Sequence, residues 1–311
     1  MTEQTAARFA ALLDERTCTG LQCAALWQCW RQTENAPASF YLADGEAALC
    51  LQGRHALLCG FVPEQTELAA FLAACGAESF LSESMLLEAP GWQPDAQLLM
   101  RFTGAYPDLY TAEADAAPDL WALAHSPALT GHDAEAWYAD VCARKNRGLA
   151  DVRAIAQDGR YVATAGAYAV REAGVYLSGV YTAKEYRGRG YAGTLLSGLC
   201  RRYGAPPQTA DAAPPAQDSA KEGGRGVPCA QSGTGTKNGS GAQSSAGGQG
   251  VPCAQSGTSG QNGSGAAGSA AALLAARPLW LLCTPALRGF YEQLGFALAI
   301  PVCGWRRAPG S

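Results

Sequence analysis

The segment Thr182-Ala183-Lys184-Glu185-Tyr186-Arg187-Gly188-Arg189-Gly190-Tyr191-Ala192-Gly193 joins a β-rich run, Val175 to Tyr181, to a run of helical periodicity that continues to about Tyr203. Strand, glycine loop and helix in that order make an anion cradle. Glycines let successive backbone N–H groups converge on one point, and the helix N-terminus adds its dipole there. Arg187 and Arg189 can add charge-assisted bonds to a pyrophosphate. No Gly-Lys-Ser/Thr follows and GxGxxG is not completed, so the segment is neither a P-loop nor a dinucleotide fingerprint. Read alone, it could also be a tight turn with two solvated arginines.

Other chemistries find less support. His55, His125 and His132 are far apart in sequence and nominate no nucleophile triad. Twelve cysteines are scattered, mostly in apolar runs such as Ala48 to Leu51, with no CxxC, so buried thiols are expected and no metal site. A net charge of -4 gives no general reason to bind nucleic acid or an anionic membrane. Met1 to Thr17 lacks the apolar core of a signal peptide, and no run reaches the roughly 20 apolar residues of a membrane span. A cytoplasmic protein is expected.

The elements that must position the loop follow from periodicity. Residues 3–32 read as two helices. Strands follow at Phe40 to Ala43, Ala47 to Leu51 and His55 to Phe61, with turns at Asp44-Gly45 and Gln52-Gly53. A helix over Glu64 to Ala74 and strands at Glu78 to Ser82 and Gln97 to Phe102 complete the first half. The order then recurs: helix Asp133 to Asn146, strands Leu149 to Ala156, Tyr161 to Val170 and Val175 to Tyr181, and the helix after Gly190. From Gly204 to Ala272 there is no Leu, Ile, Met or aromatic residue, and Gly226 to Thr234 returns as Gly250 to Thr258, a period of 24 residues. Such a stretch cannot offset its ordering entropy by burial, so residues 204–272 are expected to be a disordered insertion within a surface loop. The fold is expected to resume with a strand at Leu279 to Cys283, a helix at Pro285 to Leu294, and a closing hairpin of Ala297 to Ile300 and Val302 to Arg306.

The loop resembles the coenzyme A pyrophosphate motif of the GNAT superfamily, Arg/Gln-x-x-Gly-x-Gly/Ala, with Arg187, Gly190 and Ala192 in the fixed places. A second, independent phrase, Phe290-Tyr291-Glu292-Gln293-Leu294-Gly295-Phe296, is similar to one that often ends a later helix of the family. The resemblance covers about residues 104–307 apart from the long insertion, which departs from the family's usually short connection. It implies an α/β fold with a mixed sheet, and acetyl-CoA as co-substrate at Arg187, Gly188, Arg189, Gly190, Tyr191 and Ala192. It further implies backbone donors from Gly179, Val180, Tyr181 and Thr182 toward the acyl carbonyl and pantetheine, and Tyr291 as general acid to the leaving thiolate. Tyr291 could instead be packing. The base stays open between Asp140 and Glu135, whose alternative is a solvated helix face paired with Arg144 or Lys145.

Residues 34–103 resemble a GNAT domain that has lost its loop, because Val62-Pro63-Glu64-Gln65 offers no glycine and Pro63 removes a donor. Two tandem GNAT-like domains are expected: a degenerate copy over 1–103 and a catalytic one over 104–311. The implied activity is N-acetylation of a primary amine on a small molecule or peptide. An acyl-CoA-binding sensor and a protein N-acetyltransferase are the alternatives.

Overall fold

In a computed structural model, residues 2–34, 36–43, 46–85, 87–104, 109, 111, 116–129, 133–204 and 277–308 are described. The turn at Asp44-Gly45, His132 and the insertion beyond Gly204 lie outside them. Helix α1 (Glu3–Ala11) starts at Thr2, whose hydroxyl accepts from Thr5 N at 3.2 Å, and α2 (Cys18–Trp30) starts at Thr17 with Gly20 N at 3.0 Å. Apolar all round, α2 is buried along most of its length. Strands β1 (Ala38–Ala43), β2 (Ala47–Gln52) and β3 (His55–Gly60) form an antiparallel meander. Helix α3 (Gln65–Ala74), β4 (Ser79–Ser82) and β5 (Trp92–Phe102) follow.

The second half repeats this plan with α4 (Leu120–Ala124), α5 (Ala134–Asn146), β6 (Asp151–Gln157), β7 (Arg160–Arg171), β8 (Gly174–Thr182), α6 (Tyr191–Gly204), β9 (Leu279–Cys283), α7 (Arg288–Gln293) and β10 (Phe296–Arg307). All strands join one ten-stranded sheet in the order β1-β2-β3-β4-β10-β5-β9-β8-β7-β6. Exchanging the labels one to five with six to ten gives the same order read from the other end. The chain is therefore a duplicated fold in which the halves have exchanged their fifth strands: β10 lies beside β4, and β5 beside β9.

Strand β2 shows why both faces are needed. Its Leu49 and Leu51 point into a core under α3 with Leu58, Leu68, Leu72 and Phe80, while Ala48 and Cys50 point to α1 and α2. A strand apolar on both faces must be covered on both. In the second half α6 covers one face through Leu195, Leu196 and Leu199, and α4 and α5 cover the other.

Two expectations are corrected. The closing hairpin is one continuous strand, β10, with a bulge between Leu298 and Ile300. It pairs with β5 along its length and with β4 through Cys303 to Arg306, so it fills a slot in the sheet rather than capping an edge. Strand β5 begins at Trp92, not Gln97; Pro94 lies in the part of β5 that has β10 alone as neighbour, an edge position of the kind where strands accept proline.

Trp305 on β10 is buried in the first half's core, its ring 5.5 Å from that of Phe80. Trp305→Ala is expected to cost roughly 3–5 kcal/mol in urea unfolding. A loss under about 1 kcal/mol would mean that the exchanged strand does not close that core.

Candidate active site

Strands β8 and β9 run parallel but pair only from Val175 to Leu177 against Leu279 to Leu281, and then separate. On its other edge β8 bulges against β7, where Tyr181 opposes Thr164 and Ser178 already opposes Gly166. Gly179, inside the bulge, has φ +62, and a Cβ there would come within 2.8 Å of the Tyr168 hydroxyl. Only glycine meets both conditions without strain. The bulge and the lost pairing turn the backbone of Gly179 to Thr182 into a gap between two strands.

That gap opens into a cavity of about 640 Å³ lined by Val180 to Thr182, Tyr186 to Gly193, Leu287, Phe290 and Tyr291. Gly188 and Gly190 have φ +77 and +82, and at the start of α6 Thr194 N donates to Gly190 O at 3.0 Å. The N–H groups of Tyr191, Ala192 and Gly193 thus belong to the open first turn. Arg187 is exposed beside the cavity, its Nε donating to Thr182 O at 3.0 Å and its guanidinium 5.8 Å from the Tyr181 ring centre. Arg189 is placed in the same way over Tyr186 at 5.0 Å. An oxygen-rich anion would meet backbone donors, a helix dipole and two cations here.

A second cavity, about 410 Å³, lies on the other side of the same wall and shares Val180, Tyr181, Leu287 and Tyr291 with the first. Tyr291 is buried between the rings of Phe290 and Phe296, at 5.1 and 6.1 Å. Burial, with a smaller contribution from the nearby Cys283 thiol, pushes its phenol up to about 12. The group therefore carries its proton throughout the neutral range.

The structure brings Gly179, Val180, Tyr181, Thr182, Arg187, Gly188, Arg189, Gly190, Tyr191, Ala192 and Tyr291 around one junction. Asp140 is not among them. Its carboxylate is buried, accepting from Trp30 Nε1 at 3.2 Å and Gln52 Nε2 at 3.0 Å and paired with Arg144. Asp140 and Arg144 share a helix face, but α2 and β2 of the first half cover that face, so a pair that could sit in water is enclosed. Arg144 also donates to Tyr168 O at 2.9 Å, and Trp137 Nε1 to the Tyr168 hydroxyl at 3.3 Å, the hydroxyl that backs Gly179. Asp140 thus supports the bulge from behind and lines neither cavity. Glu135 is exposed in the first turn of α5 and lines neither cavity. The cavity residues Gln97, Leu129, Ser178, Cys283, Thr284 and Leu287 carry no sequence signal, since they come from elements whose neighbours only the sheet order reveals.

Residues 107–206 match the acetyltransferase (GNAT) family. This stretch belongs to that family. The match includes β6 to α6 and the glycine loop, and stops before β9. A GCN5-related N-acetyltransferase-like protein from Streptococcus suis is similar over 98% of this chain and 99% of its own, at 14% identity and a TM-score of 0.50. That likeness speaks for the fold alone. A GCN5-related N-acetyltransferase from Kribbella flavida, 14% identical over 96% of each chain, has a TM-score of 0.44. A tandem GNAT protein from the clavulanic acid biosynthesis pathway, 10% identical over 99% of this chain and 97% of its own, has one of 0.45. No curated protein matches the chain. The sheet order here shows the strand plan of the matched stretch twice, with the fifth strands exchanged.

Removing one partner of a buried ion pair strands the other. Asp140→Ala is expected to lose roughly 3–5 kcal/mol of stability while the folded fraction keeps its catalytic rate within a few-fold. A loss of rate near 100-fold in molecules that remain folded would restore Asp140 as the base.

Proposed function

We propose that this protein is an N-acetyltransferase that moves an acetyl group from acetyl-CoA to a primary amine of a small molecule or peptide, by direct attack in a ternary complex. The observation that carries this reading is the junction: a cavity with an anion cradle meets a second cavity at a buried, protonated phenol. The catalytic copy spans 104–311, interrupted by the insertion at 204–272, and the copy over 1–103 has no coenzyme loop. The free buried thiols suit a reducing compartment such as the cytoplasm.

The residues divide the work by position. Backbone N–H groups from Gly188 to Ala192, with Arg187 and Arg189, hold the pyrophosphate. The stretch Gly179 to Thr182, where β8 has parted from β9, holds the pantetheine and aims donors at the thioester carbonyl, where the oxyanion of the tetrahedral intermediate develops. The amine nitrogen forms its bond to the carbonyl carbon, the carbon–sulfur bond breaks, and the sulfur takes the proton of Tyr291; the new amide nitrogen releases its extra proton toward solvent. A free thiol holds its proton less tightly than a phenol near 12, so transfer from Tyr291 runs uphill and is least so once the breaking carbon–sulfur bond has put charge on the sulfur.

Acetyl-CoA at about 100 times its Kd should stabilise the protein by about 2.7 kcal/mol in thermal melts. That stabilisation should vanish in Gly190→Val, which forces a side chain onto φ +82. Unchanged melting of the native chain would overturn the coenzyme assignment. Tyr291→Phe should keep the stabilisation and lose roughly 100-fold in kcat, read as free thiol released with an amine panel; full activity would make the tyrosine structural.

The pH dependence follows from the same burial. An acid works only while protonated, and raising its pKa from 10 to about 12 moves the loss of that form upward. With saturating amine, kcat is therefore expected to hold between pH 8 and 10. A fall with an apparent pKa near 10 would show a phenol exposed to water.

A further inference from the structure

The cavity beyond Tyr291 is distinguished by what its wall is made of. Among the described residues that line it there is no Asp, Glu, Lys, Arg or His. Its ionisable groups are Tyr181 from β8, Cys283 from β9 and Tyr291 from α7, and burial pushes the Cys283 thiol up, toward its neutral form. The elements packed around it also present Leu129, Leu177, Leu281, Leu282 and Leu287. Its neutral polar side chains, apart from the tyrosines, are Gln97, Ser178 and Thr284. Asp95, the carboxylate bonded to Gln97 Nε2 at 3.4 Å, is itself held by Arg306 at 3.0 Å, so its charge is already met.

We propose that the acceptor is a monoamine with an apolar, uncharged body, and that Gln97, contributed by the first half of the chain, is a specificity-determining contact for it. This rests on the reading that the second cavity holds the acceptor. Strand β5 brings Gln97 there because Leu98 pairs with Cys283, the last residue of β9, so Gln97 sits one step beyond the end of that strand. An apolar body gains from burial against five leucines. A second ammonium on the same molecule would lose its water and meet no carboxylate, which is the costly outcome for a buried charge. Polyamines and lysine-like acceptors are thereby disfavoured by the wall itself.

Hexylamine and hexane-1,6-diamine separate these cases, since they differ only by the second ammonium. With the full chain and saturating acetyl-CoA at pH 8, hexylamine should show a kcat/KM at least tenfold higher. Gln97→Glu should narrow or reverse that ratio by tenfold or more while the stabilisation by acetyl-CoA is kept; Ser178→Asp serves if the first variant does not fold. A native ratio near one or favouring the diamine, or a ratio untouched by the new carboxylate, overturns the proposal. If neither amine is acetylated, the transferase reading falls separately, and the cavity is read by melting the coenzyme A-bound protein with each amine. Greater stabilisation by hexylamine then supports the proposal, and equal or no stabilisation by the two sinks it.

Discussion

Everything at the junction depends on β9 having β5 as its neighbour. A strand that leaves its partner exposes backbone donors and acceptors, and buried ones are costly. β9 parts from β8 after Leu281, yet Leu282 and Cys283 stay paired through Leu99 and Leu98 of the exchanged strand. The gap is therefore one-sided: β9 keeps β5 beside it, and the backbone that faces the gap is that of β8 between Gly179 and Thr182. In the proposed reaction those are the groups a thioester carbonyl and an amide-containing arm would use. The exchange of fifth strands thus shapes this gap as well as joining the halves.

The first half shows what the same plan gives when nothing opens it. There the parallel pair β3 and β4 is matched from His55 to Leu58 against Ser79 to Ser82, the whole length of β4. The connection to α3 passes through Pro63 and Glu64, with no glycine at the turn and an acidic residue at the helix start. An anion approaching that helix would meet a carboxylate and a missing N–H. The two halves share their strand order, and the glycine turn and the β8 bulge occur in the second alone among the described residues.

The glycine loop and the phrase around Tyr291 were legible because each is local: a few adjacent residues fix the turn, the dipole and the packing. The course of β10 was not, since Ala297 to Arg306 alternates as a hairpin would and only the vacancy between β4 and β5 makes it straight. Asp140 was misread because an aspartate and an arginine four residues apart look the same whether water or another domain covers them; Trp30 and Gln52 decide it, and they lie 110 and 88 residues away.

The missing base has a physical answer in the same terms. Among the described residues neither cavity wall offers a carboxylate or a histidine, yet the attacking amine must be neutral. An ammonium group entering an apolar cavity loses hydration, which disfavours its charged form and lowers its pKa, so the proton can leave to water at the mouth. The same burial raises the phenol of Tyr291 and keeps its proton in place. Desolvation acts in opposite directions on a cationic acid and a neutral one: it helps the amine lose its proton, and it makes Tyr291 hold its own more tightly, which keeps the acid form present but weakens it as a donor. A single property of the wall, its low polarity, would then set the protonation state of nucleophile and acid together, without a dedicated base.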